Sequence, residues 1–117
     1  MGDPAQELID QLLEFRKRRE WEQFHDPKNL AEAISIESGE LLENFLWKTT
    51  DESKNLSEDE ISQVREEVAD IFIFLVYLSE VVGIDLIETA KRKIELNELK
   101  YPVEKARGSS KKYPELA

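Results

Sequence analysis

Between Ser57 and Gly83 the sequence keeps one hydrophobic period without a break. Ile61, Val64, Val68, Ile71, Leu75, Leu78 and Val82 recur at alternating steps of three and four, which puts them on one stripe of an α-helix. Ser57 and Glu60 make a capping box at its start, each side chain suited to the other's backbone N–H. Gly83 is the residue type that ends a helix. The run IFIFLVYLSEVV (71–82) is apolar on most sides. It is shorter than the ~20 residues of a membrane span, so it reads as a buried helix. A chain of 117 residues has only three short helices left to cover it. Pairing with a copy of itself completes the burial.

Three further helices surround this one. Asp3 and Pro4 open the first, which runs to about Glu22 with Leu8, Leu12 and Phe15 on one face. WEQFHDP (21–27) breaks it, and Asp26-Pro27 starts a second helix to about Trp47. KTTDESKNL (48–56) is polar and non-periodic, hence a loop. Asp85 with Glu88 opens a fourth helix to about Lys100, where Pro102 stops it. The remainder, VEKARGSSKKYPELA, is basic and irregular. No segment alternates as a strand does. The expected fold is therefore all-α: one four-helix domain, residues 1–104, with a basic tail, 105–117, forming a helical bundle across subunits.

Charge narrows the function. The net charge of -10 argues against a nucleic acid polymer, whose binding relies on excess Lys and Arg. It leaves room for a small phosphate ligand, because a divalent cation can reconcile two anionic partners. The chain has no Cys, which rules out disulfides and thiolate chemistry and suits a cytoplasmic location. MGDPAQELIDQ is acidic and lacks the apolar core of a signal peptide, in keeping with that location and with the absence of a membrane partner.

The second and third helices each break their own pattern. Leu30, Ile34, Leu41 and Phe45 form the stripe of the second, yet Glu37 fills the step between Ile34 and Leu41, and Glu40 follows three residues on. On the third, Glu67 and Asp70 share a face with Phe74 and Tyr77. Residues three apart are neighbours on a helix face. Antiparallel packing would bring the four carboxylates together. Unpaired, each buried ion costs several kcal/mol of desolvation. Mg²⁺ removes the conflict, since it takes oxygen ligands, retains water and shares positions with phosphate. Solvated acidic faces are the competing reading, and Glu43 and Glu66 fit it, or a supporting position beside the ligands. A rival from another class is a non-catalytic acidic bundle acting as a protein-interaction module, which needs no metal. A di-iron site is not supported, because His25 lies outside any Glu-x-x-His motif.

Helix four adds a possible phosphate contact. Lys93 and Asn97 stand four apart beside the stripe Leu86, Ala90, Ile94, Tyr101, a point charge and a donor suited to phosphate oxygens. Trp21, Phe24, His25 and Trp47 flank the breaks beside the first acid pair, and aromatic faces can stack on a nucleobase.

The segments ESGELLE and EEVAD, with REWEQFHDPKNL, FLWK and KYPVEKARGSSKKY, resemble the MazG-like all-α nucleoside triphosphate pyrophosphohydrolases. They are similar to the dCTP pyrophosphatase branch and to compact single-domain bacterial MazG proteins. The resemblance implies hydrolysis of a deoxynucleoside triphosphate to the monophosphate and pyrophosphate, in cleansing of the nucleotide pool. It implies Mg²⁺, with Mn²⁺ as a substitute, held by Glu37, Glu40, Glu67 and Asp70. Glu37 or Glu40 would orient or deprotonate the attacking water. Lys93 and Asn97 would reach the triphosphate, and the tail residues Lys105, Arg107, Ser109, Lys111 and Lys112 could close over it. Trp21 and Trp47 would enclose the base, with His25 or Asn29 bonding base or sugar. The family forms dimers and dimers of dimers, and a homotetramer is expected here. Leu12 and Phe74 stand where the dCTP branch tends to carry polar or aromatic residues, so dCTP and related dNTPs both remain open.

Overall fold

Every long helix begins at a side chain that accepts from its own first turn. Asp3 accepts from Ala5 N at 3.0 Å, Asp26 from Asn29 N at 2.8 Å, Ser57 from Glu60 N at 3.2 Å and Asp85 from Glu88 N at 3.0 Å. Each such cap is worth about 1 kcal/mol. In the computed structural model, which describes residues 2–111, these caps open α1 (Pro4–Arg18), α2 (Pro27–Glu43), α4 (Glu58–Val82) and α5 (Leu86–Lys100). Gly83 closes α4 in the left-handed conformation, φ 77°, which glycine adopts without a steric penalty. Among the described residues there is no strand, as expected for an all-α chain.

Among the described residues there are six α-helices where four were expected. The extra two are single turns, α3 (Thr50–Ser53) and α6 (Val103–Ala106). Thr49 and Glu52 form a full capping box that starts α3 inside the expected loop. The start of the expected irregular tail is helical in α6. Two helices end early. α1 stops at Arg18 because Glu20 turns left-handed, φ 55°, and Trp21–Phe24 tightens into a 3₁₀ turn. α2 stops at Glu43, and residues 44–47 continue as turns.

The chain divides into two compact units, α1 to α4 in residues 1–84 and α5 with α6 from residue 85 onward. In the first unit α2 packs along α4. Glu37 meets Glu67 and Asp70, while Glu43 and Asn44 share a cleft with Gln63 and Glu66. Rising numbers on one helix thus meet falling numbers on the other, so the pair is antiparallel. Of the apolar side chains, only Leu30, Val76 and Tyr77 are fully buried among the described residues. Arg16 is buried with them, 3% exposed. Its Nη2 donates to Glu80 Oε2 at 2.6 Å, and its guanidinium lies 5.2 Å from the Tyr77 ring centre. The Tyr77 hydroxyl donates to the Leu12 carbonyl at 3.2 Å, and the His25 ring stacks on Tyr77 at 5.0 Å. This knot fixes α1 and the 3₁₀ turn to α4.

Much of the stripe that organises α4 stays open. Val68 is 52% exposed. A groove of about 630 Å³ runs past Leu56, Ile61, Val64, Val68 and Phe72. In the second unit the stripe expected to face inward is largely uncovered: Leu86 is half-buried, but Ala90, Ile94 and Tyr101 are exposed. No helix among the described residues is long and apolar enough to cross a membrane.

Candidate active site

α2 and α4 place three carboxylates around one point. One oxygen from each of Glu37, Glu67 and Asp70 lies within 4.8 Å of the other two. Glu37 and Glu67 are half-buried, and Asp70 is exposed at the mouth. The helical period explains the grouping, since Glu67 and Asp70 sit one turn apart on the face of α4 that meets α2. Glu37 enters between them from a position that the α2 stripe would otherwise give to an apolar side chain.

Glu40 is the fourth acid of the pattern, and it stands apart from the three. It is exposed one turn along α2, close enough to Glu37 for that carboxyl to raise its pKa. It also lines a cleft of about 340 Å³ with Glu43, Asn44, Gln63, Glu66 and Glu67. Glu43 and Glu66 are exposed there. Asn44 and Gln63, which carried no signal in the sequence, are the uncharged members of this wall. Asn44 is already engaged, donating to the Glu40 carbonyl at 3.1 Å.

The electrostatics of the cluster are unbalanced. Glu67 beside it raises the pKa of Glu37 above the ordinary carboxylate value, and burial adds to the shift. Glu37 in turn raises Glu40. The Oε2 atoms of Glu37 and of Glu67 are enclosed and accept no hydrogen bond from the protein. A carboxylate oxygen in that state is short of a positive partner. The oxygen-only donor set suits a hard divalent cation of the Mg²⁺ type, which binds through few carboxylates and keeps water on its open positions. The residues therefore fit the metal that the sequence pattern led us to expect.

The aromatic candidates fall into two kinds. Trp47, on the turn after α2, is 90% exposed. Trp21 is packed edge to face on Phe15, ring centres 5.7 Å apart, with Arg19 stacked on the same Phe15. No ring contact joins the two tryptophans. His25 stacks on Tyr77, and its pKa is lowered by burial first and by Arg16 next. Asn29 uses both its amide groups on Asp26, backbone N and side-chain Nδ2 each at 2.8 Å. Asn29 is thus engaged locally, whereas the His25 ring is stacked but its Nδ1 is enclosed without a hydrogen-bond partner. Lys93 is exposed and Asn97 half-buried on α5. Of the tail residues, Lys105 lies in α6, Arg107, Ser109 and Lys111 follow it, and Lys112 lies outside the described residues.

Comparison with known proteins gives consistent results. Residues 33–116 match the MazG-like family. Over 97% of its length the chain is 42% identical to dCTP pyrophosphatase 1 of Homo sapiens, covering 69% of that protein. It is 39% identical to dCTP pyrophosphatase 1 of Mus musculus with the same coverage of each chain. The crystal structure of a pyrophosphatase from Archaeoglobus fulgidus superposes with a TM-score of 0.80 at 48% identity, covering 87% of this chain and 95% of that one.

Proposed function

This chain belongs to the MazG-like family, and from that premise we propose that it hydrolyses a deoxynucleoside triphosphate to the monophosphate and pyrophosphate. The proposed substrate is dCTP or a related dNTP, the metal Mg²⁺, and the setting the cytoplasmic nucleotide pool. Glu37, Glu67 and Asp70 would hold the metal, with Glu40 at the rim. One observation carries the reading: Glu37, Glu67 and Asp70 bring carboxylate oxygens within 4.8 Å of one another, and the enclosed Oε2 atoms of Glu37 and Glu67 have no hydrogen-bond partner in the protein.

Bound there, the metal would offset phosphate charge and lower the pKa of a coordinated water. The protein's own groups do the rest. Glu40 lies in the open cleft and within reach of Glu37, where a carboxylate can orient a water and take its proton. Its raised pKa brings it nearer the working pH of a general base. The water oxygen bonds to one of the two phosphorus atoms flanking the α–β bridge as the bridging P–O bond on that phosphorus breaks, releasing monophosphate and pyrophosphate. Such displacements depend on positioning and on charge stabilisation more than on covalent help. Lys93 and Asn97 would supply donors to the phosphates, and the open face of Trp47 would stack on the base. Leu12 gives its carbonyl to Tyr77; its apolar side chain, at a position where the dCTP branch tends to carry a polar or aromatic residue, would favour tolerance of more than one base.

Assembly into a homo-oligomer, with a tetramer favoured, is part of the proposal. What supports it is the apolar groove left open along α4, past Leu56, Ile61, Val64, Val68 and Phe72, a contiguous patch and not a scatter of single surface residues.

Pyrophosphate release from a panel of dNTPs, first with Mg²⁺ and then with EDTA, tests the reading. Metal-dependent release with dCTP among the better substrates is expected. No metal-dependent release from any nucleotide would favour the interaction-module alternative.

A further inference from the structure

Lys48 and Glu60 form an ion pair between the turn that follows α2 and the first turn of α4. The two oxygens of Glu60 have separate tasks. Oε1 accepts from Ser57 N at 2.9 Å as the return half of the capping box, and Oε2 meets Lys48 Nζ. The cap therefore fixes the carboxylate before Lys48 arrives. Exposed pairs contribute little when two long side chains must both be ordered. Here one partner is ordered already, and the pair is mostly shielded, 25% and 35% exposed.

Next to Lys48 stands Trp47, 90% exposed and in no ring contact with another described residue. Side-chain packing does not aim this indole. Its direction follows from the backbone of residues 44–48, tied by Leu46 N to Leu42 O at 2.8 Å and Lys48 N to Phe45 O at 2.9 Å. The far end of that turn is held by Lys48. Glu60 precedes Glu67 by seven residues, two turns along the same rigid helix. A single element thus carries the carboxylates of the candidate site and the anchor of the Trp47 turn.

We propose that Glu60 is a positioning residue for nucleotide binding: through Lys48 it holds Trp47 in place to stack on the base. The proposal rests on the reading of Trp47 as a base contact. The Glu60 pKa agrees with a well-made pairing. Lys48 first, then the Ser57 backbone, draw it down to about 2.

Glu60→Gln separates the two tasks, because Gln also closes a capping box and cannot pair with Lys48 as an ion. Lys48→Met, Lys48→Arg, Trp47→Ala and the double variant Glu60→Gln/Lys48→Met complete the set, with Lys48→Gln in reserve if the Met variant does not fold. A thermal melt checks folding, and KM and kcat are measured with dCTP and saturating Mg²⁺. We expect Glu60→Gln and Lys48→Met each to raise KM by roughly 3- to 10-fold with kcat unchanged, the signature of lost binding. The double variant should be no worse than either single one, and Lys48→Arg should stay near wild type. If Trp47→Ala raises KM while Glu60→Gln leaves it unchanged, the bridge is structural only and the proposal fails. If Lys48→Met raises KM but Glu60→Gln lowers it, Lys48 touches the nucleotide directly and the proposal again fails. If Trp47→Ala leaves KM unchanged, the base contact itself is wrong, while metal-dependent pyrophosphate release still stands.

Discussion

Helix α4 buries charge twice, in two different ways. Near its C-terminal end, Arg16 enters the core with its counterion, Glu80 at 2.6 Å, and with the Tyr77 ring at 5.2 Å. About three turns before Glu80, Glu67 and Asp70 meet Glu37, and among the described residues none of the three is in an ion pair. In the first the buried charge has its counterion within the chain, although Arg16 Nε and Nη1 are enclosed without a hydrogen-bond partner. The second is short of positive charge, and the Glu67 carboxyl, with burial, raises the pKa of Glu37. A charge buried to hold a fold brings its partner with it. A charge buried to bind something leaves that place open, at some expense in stability.

Substitutions should separate the two regions. Glu67→Gln removes one member of the carboxylate group without changing its shape. We expect activity to fall on the order of a thousand-fold, about 4 kcal/mol of transition-state stabilisation, while the metal-free melting temperature stays level or rises. A large drop in metal-free stability would mean that the acids serve the fold, and the contrast would collapse. At the other region the signs reverse. Glu80→Ala strands the buried Arg16 and should cost about 3 kcal/mol in urea unfolding, with Mg²⁺-dependent activity retained wherever the variant is folded.

Added metal sharpens the difference. Mg²⁺ at a hundred times its dissociation constant should stabilise the wild type by about 2.7 kcal/mol and Glu80→Ala by the same increment. Glu67→Gln should gain little. Calorimetric melts with and without Mg²⁺ give all three values. Tyr77→Phe removes only the hydroxyl bond to the Leu12 carbonyl and should cost about 1 kcal/mol, with no change in metal response.

The smallest effect is one of pH. Glu60 is paired and Glu37 is not, and their pKa values move in opposite directions. Glu60, depressed to about 2, contributes stability that is present above its unfolded value of 4.5 and is lost as pH falls toward 2. Glu37 has its folded pKa raised, so in metal-free protein its contribution is fully present below 4.5 and is lost as pH rises through the raised value. Carboxyl titration by NMR in EDTA should resolve the two shifts. Parallel titration of both residues would remove the distinction between paired and unpaired acids.

The starts of the long helices were legible, because Asp3, Asp26, Ser57 and Asp85 act locally. The ends were less so. α1 ends four residues before its expected limit at Glu22 because Glu20 takes a left-handed backbone that its residue type rarely adopts. α3 was written in the sequence as Thr49-x-x-Glu52, the same box that opens α4, yet it has no apolar period to draw attention to it. In the candidate site, the acid pairs stood out as breaks in a hydrophobic stripe. Glu40 looked equal to Glu37 by spacing, but it is exposed on the rim while Glu37 is half enclosed. A stripe defines which residues share a face without saying how deep the partner helix covers each of them.

Periodicity and capping chemistry fixed the all-α character and singled out the four acids, because both act over a few residues of chain. The meeting of Glu37 with Glu67 and Asp70, the burial of Arg16 against Glu80, and the bridge from Lys48 to Glu60 belong to the tertiary structure alone. Each joins residues far apart in sequence, and only the packing of α1 and α2 on α4 decides which charges face one another and how much water is left between them.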